Sequence, residues 1–308
     1  MRLRRKRIPR ELPTLGFLTV LCLAFSLANK NFATAANLRT LGADAATTCI
    51  LAVGMTAVIL TGGIDLSVAA VLSLATLAAA SLMAKGLTAQ GLVASALVGA
   101  GCGFFNGVLI TRIFMPPIIA TLGTMYVFQS AAALASGGQC IVLEHNPIAF
   151  LGKGFVPLLV LLGTTLFAAG VLQYTRVGRY IYAVGGCEES TRLSGIDPNV
   201  IKILVYTANG LLAALGGIVM LGIGSTFQAN DAQGYELAAI AAVVIGGTSI
   251  NGGQGSVLGT LLGIAITTVL RNGAILAGLE ARWAQAIVGL AIFLAVAVDK
   301  IRREDTTR

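Results

Sequence analysis

Two glycines, one carboxylate and one hydroxyl stand together in Thr61-Gly62-Gly63-Ile64-Asp65-Leu66-Ser67, inside an apolar tract running from about Ala45 to Ala84. Glycines at such a point let a helix break. Asp65 and Ser67 offer oxygens to a polar solute or to the freed backbone amides. In hydrocarbon a break survives only where it is packed in protein or lines a wet cavity. An Asp at mid-span costs roughly 2.5–3.5 kcal/mol. Two readings follow: a broken-helix element beside a solute pathway, or a loop between two short helices with Asp65 as a helix N-terminal charge. Asn106, Gln139, Tyr235 and Glu236 are further polar pathway candidates at span ends. For Tyr235 and Glu236 an interfacial anchor is the competing role.

Other chemistry lacks raw material. The single histidine, His145, falls in an expected loop and has no partner set for nucleophilic catalysis. Cys22, Cys49, Cys102, Cys140 and Cys187 are scattered without C-x-x-C spacing, which argues for no metal site and no disulfide framework. No G-x-x-x-x-G-K-[ST] phosphate loop occurs, since Gly252-Gly253-Gln254-Gly255 lacks the lysine. An enzyme that hydrolyses ATP itself is not expected, and neither is a bound cofactor or metal.

The elements that must position these residues are membrane spans. Of 308 residues, 56% are hydrophobic and 11% charged, and mean hydropathy is +0.87. Soluble domains carry about 25% charged residues. An all-α polytopic membrane protein of about ten transmembrane helices, some broken or half-length, is expected as one domain over residues 1–308. About 20 apolar residues cross a bilayer. Spans are expected near 12–29, 43–61, 66–84, 90–110, 118–136, 155–173, 201–223, 237–250, 253–271 and 283–298, the eighth short enough to be a half-helix. The basic start (residues 1–11, with Arg2, Arg4, Arg5, Lys6, Arg7 and Arg10) precedes a first span that reads as a retained anchor. An even count places both termini in the cytoplasm. The basic tail 299–308 and the charged segment 174–200 fall on that same side, while Lys30 and Arg39 dissent weakly. The net charge of +8 thus reads as topology in a lipid bilayer, with no nucleic-acid partner. On these boundaries Asp65 is the one convincingly intramembrane carboxylate.

Small residues recur every fourth position at Ser95, Gly99, Gly103 and Gly107, and again at Gly255, Gly259 and Gly263. Each stripe reads as close helix packing. A weak two-half repeat is visible: Ala57-Val58-Ile59-Leu60-Thr61-Gly62-Gly63 resembles Ala242-Val243-Val244-Ile245-Gly246-Gly247. Each is followed by a small-residue helix and an Asn-Gly pair, Asn106-Gly107 and Asn272-Gly273. In the charged segment, residues 188–196 can form about two helical turns, with Leu193 and Ile196 on one face, Glu189 and Arg192 on another, and Gly195 as terminator. It is either a short amphipathic helix for a groove in a soluble partner or a solvated loop.

Four stretches carry a family resemblance. They are residues 54–68, from Gly54 to Val68; Asn106–Thr111 with Pro116–Thr124; Gly178–Gly186 continuing to Arg192-Leu193-Ser194-Gly195-Ile196; and Tyr235–Ser249 with Gly252-Gly253 and Gly255-Ser256-Val257. Together, in order, they resemble the ribose-type permease subunit of bacterial sugar ABC importers. The resemblance implies two permease subunits, identical or different, around one pathway. It also implies a cytoplasmic ATP-binding subunit as motor, a periplasmic solute-binding protein, and a place in the inner membrane. Glu189, Arg192, Leu193, Ser194, Gly195 and Ile196 would then form the segment that couples to the ATPase. The chain departs from the family pattern at Cys187, at Glu189-Ser190-Thr191 and at Ala69. The expected solute is a monosaccharide or related small polyol. The rival readings are an ion-coupled secondary transporter and a non-transporting scaffold or receptor.

Overall fold

The computed structural model describes residues 11–279 together with residues 286, 289 and 290. The basic residues 1–10, nearly all of the expected span 283–298 and the tail 299–308 lie outside the described residues. The described helices are α1 (Glu11–Ala28), α2 (Ala35–Leu60), α3 (Val68–Met83), α4 (Thr88–Arg112), α5 (Pro117–Ala135), α6 (Val156–Tyr174), α7 (Arg176–Gly186), α8 (Glu188–Leu193), α9 (Pro198–Gly224), α10 (Tyr235–Ile245) and α11 (Val257–Leu276). Helices α2, α4, α5, α6, α9 and α11 are long and apolar enough to cross a membrane. The described residues also include a 3-10 turn at Ala149–Gly152 and two short antiparallel strands, β1 (Ile141–Val142) and β2 (Thr226–Phe227), with Ile141 opposite Phe227. This is an all-α polytopic membrane protein.

Helix α9 is the centre of the bundle, and α2, α3 and α4 all pack on it. The stripe on α4 is a helix contact, and so is the second from Gly259 on; its first member, Gly255, precedes α11 and lies against the Thr248 side chain. A Cβ on Gly99 or Gly103 would overlap the α9 backbone at Gly210 or Tyr206, and one on Gly107 would come within 2.8 Å of the Ile203 Cα. Gly259 and Gly263 bring α11 equally close to Gly246 and Ala242 at the end of α10. Without a hydrophobic force between helices in lipid, such backbone approach is what holds a bundle together.

The chain runs up and down between two ends. One end carries α7 and α8, the close of α2, α4 and α10, and the start of α5, α9 and α11. There the Gly253 amide donates to the Leu60 carbonyl at 2.9 Å. At the far end, the Asn37 and Asn272 amides pair reciprocally at 2.9 and 3.0 Å, tying the start of α2 to the close of α11. The loop between β2 and α10 descends from this far end. Its Ala229 carbonyl accepts from the Ser73 hydroxyl at 2.7 Å, ten residues or about 15 Å inside the far end of α3. Helix α10, with 11 residues, is a half-helix that begins at depth, as its short apolar run led one to expect.

Two expected boundaries are corrected. Helix α2 begins at Ala35 and not near 43, and α11 continues to Leu276 and not to 271. Polar residues near each end read as loop. They are accommodated because Thr34 caps α2, its Oγ1 accepting from the Asn37 amide at 3.3 Å, and because the Asn37–Asn272 pair satisfies both amides. Asp44 and Arg271, expected at the very edges of their spans, thus lie nine residues inside α2 and five residues inside α11, and Asp65 is not the one carboxylate associated with helices long and apolar enough to cross a membrane.

The repeat extends to cap geometry. After α2, the Gly62 amide donates to Ile59 O and Gly63 to Val58 O; after α10, Gly247 donates to Val244 O and Thr248 to Val243 O. Gly62 and Gly247 both have positive φ, +79° and +87°. This is the Schellman arrangement, in which glycine takes the left-handed position. The Asn-Gly pairs are not equivalent in the same way: Asn106 lies on the second helix after its break and Asn272 on the first.

Candidate functional site

The break between α2 and α3 is a folded object inside the protein. Its irregular residues, Gly62 to Leu66, are wrapped by α4, α5 and α9. The Thr121 hydroxyl of α5 donates to Ile64 O at 3.2 Å and accepts from the Leu66 amide at 3.1 Å. Gly63 faces the Tyr206 hydroxyl of α9, with no room for a Cβ between them. Asn106 is six residues from the end of α4, and Asn209 eleven from the start of α9. The break therefore lies about 9–16 Å deeper than those helix ends.

Asp65 is at its centre. One carboxylate oxygen accepts from the Ser67 amide at 2.9 Å and the Ser67 hydroxyl at 2.7 Å; the other accepts from Asn209 Nδ2 at 2.8 Å. Asn106 Nδ2 donates to Ser67 Oγ at 2.7 Å. All four side chains are buried, Asp65 with 2% of its surface exposed and Asn106 and Ser67 with none. Three donors and the N-terminus of α3 face the carboxylate. Bonds to an ionised group are worth roughly 1.5–3 kcal/mol each, enough to hold it in a bundle interior. Among the described residues, Asn106 Oδ1 and Asn209 Oδ1 have no hydrogen-bond partner. Asn209 Oδ1 sits against α2 at Gly54, where a Cβ would overlap it.

The expected pathway residues are thus not one cluster. Asp65, Ser67 and Asn106 come together in the interior; Gly63 is buried beside them, and Gly62 is exposed at the turn. Gln139 is exposed in the loop after α5 at the far end. Tyr235 and Glu236 are half-buried at the start of α10, where the Glu236 carboxylate accepts from the Gly234 amide at 3.1 and 3.3 Å. Sequence reasoning missed Asn209, Tyr206 and Thr121. Asn209, well inside the apolar run 198–224, was the available signal, since buried amides in spans seek partners.

At the opposite, α8-bearing end, Thr175 caps α7 by accepting from Gly178 N at 3.2 Å. Helix α7 is amphipathic: Gly178, Ile181 and Val184 are buried, while Arg176 and Arg179 are exposed. Gly185 lies against the Leu60 carbonyl and Gly253, so α7 rests on the close of α2. Helix α8 then projects. Leu193 is 84% exposed, and Glu189, Arg192, Ser194 and Gly195 are exposed with it. Ile196 is half-buried against the core and does not share a free face with Leu193. Glu188 receives Lys202 Nζ at 2.6 Å and Arg192 at 3.6 Å. Gly195, at φ +82°, terminates α8 with bonds from Gly195 N to Arg192 O and Ile196 N to Thr191 O. Hydrogen bonding from the Ser190 hydroxyl and amide lowers the pKa of the exposed Cys187 thiol.

Residues 37–296 match the family described as branched-chain amino acid transport system / permease component. The chain belongs to this family. Among other permeases it is 41% identical over 299 residues to the ribose import permease protein of Escherichia coli, covering 94% of this chain and 93% of that one. To the ribose import permease protein of Bacillus subtilis it is 36% identical over 296 residues, covering 94% and 92%. To the fructose import permease protein of Rhizobium meliloti it is 34% identical over 268 residues, covering 82% and 74%. No solved structure matches. The permease family expected from the four sequence stretches is therefore the family found.

Proposed function

We propose that this chain is the membrane-spanning subunit of an ATP-driven ABC importer that carries a monosaccharide across the bacterial inner membrane. The single observation that carries the reading is the α7–α8 segment. It projects an exposed, charged and apolar surface from one end, and its base rests on the close of α2 and the 246–255 loop. A push on α8 is thereby passed to the break at Gly62–Leu66. The names of the sugar import relatives support the solute class. The chain itself is not an enzyme, and ATP hydrolysis falls to a separate cytoplasmic subunit.

In this reading the α8 end is cytoplasmic, both termini lie on that side, and the far end receives solute from a periplasmic binding protein. Two permease subunits enclose the pathway. Asp65, Ser67 and Asn106 hold the shape of its wall from within, while Gly62, Gln139, Tyr235 and Glu236 are its more open polar positions. ATP-driven closure of the motor moves α8. Shifting two access states fully takes about 5.5 kcal/mol of differential binding, which the ATP step must supply.

The test uses the complex of permease, ATPase and binding protein in proteoliposomes. Arg192→Glu and Gly195→Val should leave ATP hydrolysis in place and abolish its coupling to monosaccharide uptake. Normal uptake by both variants would remove α8 from the mechanism.

A further inference from the structure

The corrected helix boundaries expose a second polar site. Asp44 lies nine residues, about 13 Å, inside α2, and Arg271 lies five residues before the close of α11. Both side chains are exposed. Neither makes a direct ion pair with a described residue. In hydrocarbon each would cost roughly 2.5–3.5 kcal/mol, and a short Asp, unlike Arg, cannot reach up to the interface. The face that carries Asp44 is therefore wet.

Other groups converge on it. Helices α10 and α11 pack on α2 and on each other, and the Asn37–Asn272 pair puts Arg271 within about two turns of Asp44 along the bundle; Arg271 is near enough to act on Asp44, and Arg271, Asp44 and Asp231 near enough to act on Tyr235. Tyr235 opens the half-helix α10, at the foot of the descending 228–234 loop. On α2 the polar face continues one turn to either side, through Thr40 and Thr48; on α11 it continues through Thr268, one turn from Arg271.

We propose that Asp44, Arg271 and Tyr235 form a solute-contact station in the outer half of the passage, suited to a neutral polyhydroxyl solute. A carboxylate accepts from neighbouring hydroxyls, a guanidinium donates in a fork to ring and hydroxyl oxygens, and a phenol adds a face and a third polar group. With Asp44 and Asp231 against the one Arg271, the station has no excess positive charge to favour an anionic sugar derivative. The solute assignment rests on the import function proposed above; the wet face does not.

The experiment treats the two separately. In a chain whose five cysteines are replaced, single cysteines are placed as Asp44→Cys, Thr48→Cys and Leu97→Cys. They are exposed, in the assembled complex, to a membrane-impermeant charged methanethiosulfonate from outside. Leu97 is 68% exposed and nine residues inside α4 from the same end, so it is a depth-matched lipid-facing control. The cysteines at 44 and 48 should react at least about tenfold faster than that at 97, because a thiol in apolar surroundings is held in its unreactive form. Rates equal to the control at both positions overturn the wet face. In a second arm, Asp44→Asn and Arg271→Gln should each lower monosaccharide uptake about tenfold, a loss of about 1.4 kcal/mol in solute interaction, with ATP hydrolysis retained. Fast labelling with unchanged uptake overturns the solute contact. Failure of the wild-type complex to import any monosaccharide counts against the import function and leaves the labelling result standing.

Discussion

Asp65 faces only donors, and this decides what its removal should do. In Asp65→Ala the Ser67 hydroxyl and Asn209 amide lose their acceptor inside a dry bundle. Each buried donor left unpaired costs about 1–3 kcal/mol, so the variant should lose roughly 2–6 kcal/mol and melt earlier in detergent. A residue that merely lined a pathway would lose uptake with its melting temperature unchanged. Cys187 offers a second check at this scale. Its thiol is exposed and its pKa is lowered by Ser190, so the thiolate is present at lower pH than in a free cysteine. The maleimide-labelling profile of Cys187 against pH should lie to the acid side of that of a cysteine peptide; a coincident profile would contradict the Ser190 bond. Asp65, Ser67 and Asn106 were legible in sequence as polar interruptions of apolar runs. Their partners Asn209 and Thr121 were not, because a pairing across 144 or 55 positions has no local signal.

At the scale of elements, the glycine stripe of α4 separates packing from composition. Gly103 abuts the Tyr206 carbonyl, whereas Gly101, two residues away, has nothing within 4 Å of a built Cβ. Gly103→Ala should cost about 1–3 kcal/mol through backbone displacement, while Gly101→Ala should be neutral or gain up to about 1 kcal/mol of helix propensity. Thermal unfolding of the two variants side by side reads the difference; equal shifts would contradict the close α4–α9 approach. The half-helix α10, the α4 stripe, the Gly259–Gly263 contact and the glycine-terminated α8 are visible in spacing and residue type. The amphipathic α7 was absorbed into an expected loop, since its arginines and glycines mask a buried face of only three residues. The start of α2 and the close of α11 differ from expectation for a related reason. Asp44 and Arg271, like Asn37 and Asn272 beside them, read as loop residues by type, and only the pairing of α2 with α11 shows them to be helical.

For the whole molecule, composition fixed the class, and four motifs in order fixed the family. What required coordinates was the connection between ends: α7 resting on the close of α2, the break wrapped by α4, α5 and α9, and the 228–234 loop reaching down to Ser73. In the function proposed above, these contacts make the chain a transmission between the exposed α8 and the polar face at the far end, with ATP hydrolysed by a separate subunit. The most direct test is solute uptake by proteoliposomes of the purified chain, with and without its ATPase, binding protein and ATP. Uphill monosaccharide uptake should appear only when all three are supplied. Uphill uptake by this chain alone, following a proton or sodium gradient with ATP absent, would contradict the account.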